Sequence, residues 1–248
     1  LTAIATATSG TITASGVTNI TGTAAEIVAA HDNGELASID SDFTVTVTGT
    51  AAATDLTAIA TATSGTITAS GVTTITGTAT AINAAHQNAE LTTIDGDFAA
   101  TVTGTATEDE LTTLNGYTSG AINASGMTAI TAGTAADVVA LIDDSSVTLA
   151  SDVDVTVTGT AAATDLTDIA TATSGTITVS GVTNITGTAA EIVAAHDNGE
   201  LTTIDSDFTA TATGTAAATD LTAIATATSG TITASGVTNI TGSAAEIV

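Results

Sequence analysis

The stretch Phe43–Leu56, FTVTVTGTAAATDL, carries the signals of a strand and of the start of a helix. Apolar residues alternate with threonine from Phe43 to Thr48, which is typical of a strand with one buried face. Thr-Gly-Thr then ends the alternation, and Ala52, Leu56 and Ile59 follow at helical spacing. The stretch therefore predicts a strand that leads almost directly into a helix.

The same pattern returns every 55 residues, so the chain is a tandem repeat. The repeats are Leu1–Asp55, Leu56–Glu110, Leu111–Asp165 and Leu166–Asp220, and the partial copy Leu221–Val248 follows them. Periods of this size are typical of solenoids, in which each repeat packs on its neighbours. We predict a single continuous solenoid array over residues 1–248, with the repeats in register.

A shorter period lies inside each repeat. An apolar residue followed by Thr-Gly-Thr-Ala occurs at Ile20–Ala24 and Val47–Ala51, and returns at alternating spacings of 27 and 28 residues. We predict that each such coil runs strand, corner, strand, helix, and that stacked coils form parallel sheets with a row of short helices. The predicted fold class is an α/β solenoid of 27/28-residue coils, and an all-β parallel β-helix is the alternative.

Local signals place the helix starts and the corners. Thr23-Ala-Ala-Glu26 is a capping box, in which side-chain oxygens satisfy free amides at a helix start. Further boxes are predicted at Thr105/Glu108, Thr188/Glu191 and Ser243/Glu246, with an aspartate version at Thr134/Asp137. The positions of Gly10 and Gly16 are glycine in every copy, and we expect them to supply a positive φ at corners.

The charge of the chain excludes several classes of protein. There is no Lys or Arg against 26 Asp and Glu, a formal charge of −26. Nucleic-acid binding needs cationic side chains, so we expect that the chain does not bind nucleic acid.

No stretch approaches the roughly 18 apolar residues of a membrane span. Neither end of the array has a polar cap, which predicts end-to-end self-association or continuation in a longer chain.

Acidic pairs of the form Asp-x-Asp precede one strand in each repeat. The pairs are Asp40 and Asp42, Asp95 and Asp97, Asp152 and Asp154, and Asp205 and Asp207. Carboxylates in turns are typical Ca²⁺ ligands, and Ca²⁺ is the one cofactor that the sequence suggests. Aspartate also simply favours turns, and in the third copy the pair has moved by two residues. A solvated turn is therefore the competing interpretation of each pair.

Other recurring side chains have structural explanations. His31, His86 and His196 share one repeat position, which the third copy fills with Leu141, so we interpret it as a packing position. Threonine pairs such as Thr46/Thr48 would form flat rows, which are also typical of ice-binding faces. Tyr117 lies in the third copy, and we interpret it as drift within the array, with a local binding patch as the alternative. A near-uniform array offers no special place for catalysis, so we expect that the chain is not an enzyme.

The run Ile-Thr-Gly-Thr-Ala-Ala-Glu-Ile, at Ile20–Ile27 and Ile185–Ile192, resembles the repeats of giant Thr/Ala/Gly-rich repetitive cell-surface proteins of marine cyanobacteria. The resemblance extends over essentially the whole chain. It implies an extracellular location at the cell surface and a role in a sheath, in adhesion or in surface motility. The expected function is a structural repeat module of an extracellular filament or giant surface protein. A calcium- or glycan-binding surface module is the alternative, and ice binding is a third.

Overall fold

The computed structural model describes residues 1–8, 11–33, 36–37, 39–91, 93–201 and 203–247. In this part of the chain, parallel strands alternate with short helices. The main sheet contains ten strands, all parallel, and it is open. The predicted α/β class is confirmed, together with its solenoid-like repeat pattern, and the all-β alternative is wrong.

The elements follow one another in the order that the repeat dictates. The helices are α1 (Thr2–Thr6), α2 (Ala24–His31), α3 (Ala53–Ala62), α4 (Ala79–His86), α5 (Glu108–Tyr117), α6 (Ala135–Ile142), α7 (Ala163–Ala172), α8 (Ala189–His196), α9 (Ala218–Ala227) and α10 (Ala244–Ile247). The strands are β1 (Ile12–Thr13), β2 (Asn19–Gly22), β3 (Leu36–Ala37), β4 (Thr44–Ala52), β5 (Ile67–Gly77), β6 (Ala99–Ala106), β7 (Ile122–Ile130), β8 (Val147–Leu149), β9 (Asp154–Ala162), β10 (Ile177–Thr188), β11 (Thr209–Ala217) and β12 (Ile232–Thr241).

The chain divides into two compact units. Unit 1 contains Leu1–Gly104, Glu110–Gly126 and Ser146–Thr148, and its main strands follow the order β7, β6, β5, β4, β2. Unit 2 contains Thr105–Asp109, Met127–Ser145 and Leu149–Val248, and its order is β12, β11, β10, β9 and the last residues of β7. A single continuous array over residues 1–248 stays a prediction.

Strand β4 shows how the sequence forms the sheet. Val45, Val47 and Ala51 are buried, whereas Thr46 and Thr48 point to the more exposed face. Gly49, with a φ of 77°, separates the alternating residues 44–48 from the end of the strand, residues 50–52. Its backbone conformation favours glycine. The alternation predicted from the sequence is therefore present, and the buried face packs against the helices.

The predicted capping boxes form where a helix begins directly after the threonine. In α2, Glu26 N donates to Thr23 Oγ1 at 3.4 Å, and Thr23 N donates to Glu26 Oε2 at 2.9 Å. The same two bonds form between Thr188 and Glu191 at the start of α8. Such a cap stabilises a helix by about 1 kcal/mol.

The remaining capping predictions have mixed outcomes. Thr134 caps α6 by accepting from Asp137 N at 3.2 Å. Ser243 N donates to Glu246 Oε2 at 2.6 Å, which is half of a box. The box predicted at Thr105/Glu108 is wrong, because Thr105 lies within β6 and α5 begins only at Glu108.

Thr-Gly-Thr-Ala has two different structures in alternate coils. Thr48–Ala51 lies inside β4, whereas in Thr76–Ala79 the strand ends at Gly77 and Thr78 caps α4. Consequently Ile75 pairs with Ala51 and not with Val47, so the stacking register expected from the 27- and 28-residue spacing is wrong. The predicted corner inside each Gly-containing strand is also wrong for β5, which is continuous and bulged near Gly71.

The third repeat slips by one residue. Helix α6 begins at Ala135, one residue later than the strict repeat from α2 and α4 predicts. Ile142 therefore ends α6 where His31 ends α2, and the buried Leu141 takes the place of Ala30. The prediction that Leu141 occupies the histidine position is wrong, because an extra residue precedes the helix.

The Thr-Ser-Gly segment at Thr63–Gly65 joins neighbouring coils. Thr63 Oγ1 donates to Phe43 O at 2.5 Å and accepts from Gly65 N at 2.9 Å, while Ser64 N donates to Ser41 O at 2.8 Å. A Cβ atom added at Gly65 would lie 2.3 Å from Phe43 O. Glycine is therefore required here for close backbone approach.

The expected positive φ at the two invariant glycines has no support in the described residues. Gly10 lies outside them, and its equivalent Gly65 is not among the glycines with a positive φ. Gly16 has no positive φ either, so that prediction is wrong. No described helix has the length and apolar character that crossing a bilayer requires.

Candidate functional site

The acidic turns lie at the surface, immediately before strands of the main sheet. Asp40 and Asp42 are exposed, and Phe43 N donates to Asp40 O at 3.4 Å to close the turn. The carbonyl oxygens of Ser41 and Phe43 already accept hydrogen bonds from the next coil. Two of the backbone oxygens that could complete a calcium shell are thus engaged in joining coils.

The other acidic pairs occupy comparable exposed turns. They are Asp95 and Asp97, Asp152 and Asp154, and Asp205 and Asp207. Asp154 differs, because it is the first residue of β9 and its Oδ1 accepts from Thr176 N at 2.6 Å, which holds the neighbouring strand. Across the described ranges, no group of three or more His, Cys, Asp or Glu side chains is arranged to hold a metal ion. Calcium binding by the eight aspartates stays a prediction.

Threonines cover the exposed face of the sheet. In unit 1 the parallel register places Thr21, Thr46 and Thr68 on neighbouring strands. Parallel strands lie about 4.8 Å apart, so these side chains form a short row. Thr48, on the same face of β4, takes part in the hydrogen bonding of the fold, since its Oγ1 lies 3.5 Å from Gly22 O on the preceding strand. The face is therefore both a surface and a part of the coil-to-coil hydrogen bonding.

Grooves between successive helices are concave features of the described part of the chain, and the α2/α3 pair has one of them. A cavity of about 250 Å³ is lined by Val28, His31, Phe43 and Ile59, among others. The His31 ring stacks 6.0 Å from the Phe43 ring, and its Nδ1 lies 3.0 Å from Asp32 Oδ1. The groove thus has an aromatic floor and one carboxylate at its edge.

Two other helix pairs carry equivalent grooves. In α8/α9 the ring of His196 lies 6.1 Å from Phe208, but the cavity is only about 10 Å³. In α6/α7 the cavity is about 380 Å³ and contains Ile142 where the other grooves have histidine. The grooves therefore differ in size and in floor although they come from one repeat.

In the α4/α5 pair, Tyr117 occupies the equivalent place. Its ring stacks on the His86 ring at 4.1 Å with an interplanar angle of 17°, and its hydroxyl accepts from Gln87 Nε2 at 2.6 Å. Burial lowers the pKa of His86, which favours the neutral ring at neutral pH. We interpreted Tyr117 as drift, but the structure gives it a definite partner. The available signal was that Tyr117 stands where the other repeats have alanine: Ala62, Ala172 and Ala227.

Polar contacts also join α4 to α5. Thr80 Oγ1 donates to Glu110 Oε1 at 2.6 Å, and Asn83 Nδ2 donates to Glu110 O at 2.9 Å. Asn83 is buried, and its Oδ1 has no hydrogen-bond partner. The equivalent places in the other helices carry valine: Val28, Val139 and Val193.

Replacing Asn83 with valine is expected to stabilise the protein by about 1 kcal/mol, because it removes an unsatisfied buried oxygen. Urea denaturation of the variant and the wild type measures the difference. Val28→Asn is the matched control and should destabilise the α2/α3 pair. A loss of stability in Asn83→Val would show that the Asn83 hydrogen bond outweighs the unpaired Oδ1.

Comparison with known proteins gives no relative. No family model, no curated protein and no solved structure matches this chain.

Proposed function

We propose that the chain is a structural repeat module of an extracellular filament or giant cell-surface protein, and that it is not an enzyme. The resemblance of its repeats to cyanobacterial surface proteins supports this location. A fibre at the cell surface is exposed to proteases, and a chain without Lys or Arg has no site for trypsin-like enzymes. The charge of −26 would keep neighbouring fibres apart.

Equivalent contacts at one coil junction in each 55-residue repeat support a mechanical role. The bond from Thr63 to the Phe43 carbonyl returns between Thr173 and Val153 at 2.7 Å and between Thr228 and Phe208 at 2.5 Å. Thr118 makes the same bond to Phe98 O. The same groups therefore join two coils at one junction in each of these four repeats.

Strand β12 carries the single observation on which the proposal depends. Ile240 on this edge strand is 47% exposed, whereas its equivalents Ile75 and Ile185 are fully buried. The edge thus offers unpaired backbone groups and an apolar surface of the kind that a further coil covers elsewhere in the chain. We propose that another coil of the same type packs here by end-to-end self-association.

Self-association predicts that the isolated chain forms end-to-end oligomers at high protein concentration and moderate salt, where repulsion between acidic chains is screened. Light scattering coupled to size exclusion, and electron micrographs of the same samples, would detect them. Ile240→Lys should abolish these oligomers, because the junction would bury an unpaired charge.

Thr73→Lys is the matched control, since it makes the same change of charge at an exposed position of β5. It should assemble like the wild type. Oligomers of equal size in Ile240→Lys, or particles that stay monomeric at every concentration, would contradict self-association through this edge.

A further inference from the structure

The grooves of the α2/α3, α4/α5, α6/α7 and α8/α9 pairs come from the same part of the repeat and can be compared. One of them is filled by a side chain, which indicates what the others can hold. In α4/α5 the occupant is the phenol ring of Tyr117, seated on His86. In α2/α3 the equivalent residue is Ala62, which is among the residues that line the cavity of about 250 Å³. The side chain that fills one groove is therefore absent from the other.

The floor of the α2/α3 groove is already arranged for a ring. His31 and Phe43 keep the geometry that His86 and Phe98 have in the filled groove, with ring centroids 6.0 Å apart in both. The His31 side chain is 38% exposed. Stacking on an exposed aromatic face is favourable, particularly with an offset arrangement, so this face suits a second ring.

The edge of the groove selects the polar group of the ring. In the filled groove, the Tyr117 hydroxyl meets Gln87, whose amide donates to it. In α2/α3 the equivalent residue is Asp32, whose carboxylate oxygens accept hydrogen bonds where the Gln87 amide donates one. A ligand for this groove must therefore donate, as a phenol hydroxyl does.

We propose that the α2/α3 groove is a binding site for a small molecule that carries a phenol ring, with the ring on His31 and its hydroxyl directed to Asp32. The α8/α9 groove has the same residues and nearly the same ring geometry but a smaller cavity, about 10 Å³, so we expect it to bind the ring more weakly. The α6/α7 groove has Ile142 and Val153 in place of the aromatic floor and does not stack a ring.

Titration with p-cresol, followed by the imidazole proton resonances, tests the site directly. The chain has only three histidines, and each lies at one helix end, so each reports on a separate groove. The His31 resonance is expected to shift in a saturable way, in the direction in which Tyr117 already displaces His86 through its ring current. The His86 resonance should stay in place, and the His196 resonance should shift only at higher p-cresol concentration.

Two variants and one ligand provide matched controls. Ala62→Tyr copies the natural Tyr117 into the groove and should abolish p-cresol binding. Tyr117→Ala opens the α4/α5 groove and should add a second site, reported by His86. The analogue 4-methylanisole cannot donate a hydrogen bond and should bind about tenfold more weakly than p-cresol.

The results distinguish this proposal from nonspecific binding of p-cresol. Absence of a saturable His31 shift in the wild type would overturn it, as would equal binding by Ala62→Tyr or by 4-methylanisole. N-Acetyltyrosinamide that binds while p-cresol does not would also overturn it, because the occupant would then be a polypeptide side chain. Assembly through β12 is measured separately, so either proposal can fail alone.

Discussion

Replacing Gly65 with alanine is expected to lower the free energy of unfolding by about 3 kcal/mol, at the upper end of what overpacking costs. The new Cβ atom would lie 2.3 Å from Phe43 O and 2.4 Å from Asp42 O, and both are backbone atoms. Neither can move aside by a rotamer change, so the junction between two coils must open. Urea denaturation followed by circular dichroism measures the loss.

Gly16→Ala is the control for this substitution. Gly16 also recurs in every repeat, but a Cβ added there meets no atom within 4 Å and its φ is not positive. Its replacement should change stability by no more than about 0.5 kcal/mol. Equal effects of the two substitutions would show that the close approach at Gly65 is not what fixes glycine at this position.

The pattern of the sequence was sufficient to predict the class of fold. Alternating apolar and threonine residues identified β4, and the capping box identified the starts of α2 and α8. These signals are local, since each depends on residues that are close together in the sequence. The repeat then extended them to the other copies.

The register of the coils could not be predicted in the same way. Thr-Gly-Thr-Ala continues a strand at Thr48–Ala51 and caps a helix at Thr76–Ala79, so the same residues have two outcomes. Whether the segment continues the strand or caps a helix depends on the residues of the neighbouring strand and on where the helix packs. Those contacts are formed between coils, and no spacing within one coil reports them.

The candidate sites show the same limit. Counting residues put Leu141 at the histidine position, but the slip before α6 puts Ile142 there. The role of Tyr117 depends on the packing of α5 beside α4, because the residues that Tyr117 contacts lie about thirty positions earlier in the chain. The helix grooves are formed by two coils, which is why neither coil alone predicts them.

Replacing Phe98 with alanine is expected to cost about 3–5 kcal/mol, the usual range for a large buried ring. Phe98 is 1% exposed, and its ring lies 6.0 Å from His86. Its loss would leave a cavity under the His86 and Tyr117 rings. Thermal and urea denaturation would measure the effect, and retention of wild-type stability would show that the coil collapses into the space.

The third repeat carries two changes that we expect to compensate for losing this ring. In the third repeat Val153 replaces the phenylalanine, and there the last buried position of α6 is Leu141, where α2, α4 and α8 carry Ala30, Ala85 and Ala195. One position loses volume while the other gains it, and cores tolerate such exchanges when the total volume is kept.

Phe98→Val and Ala85→Leu should therefore each destabilise the protein, the second by about 1–3 kcal/mol through overpacking. The double variant should recover at least about 1 kcal/mol relative to the sum of the two, which a double-mutant cycle measures. Strict additivity would mean that the two positions do not share one space, and that the third repeat changed both residues independently.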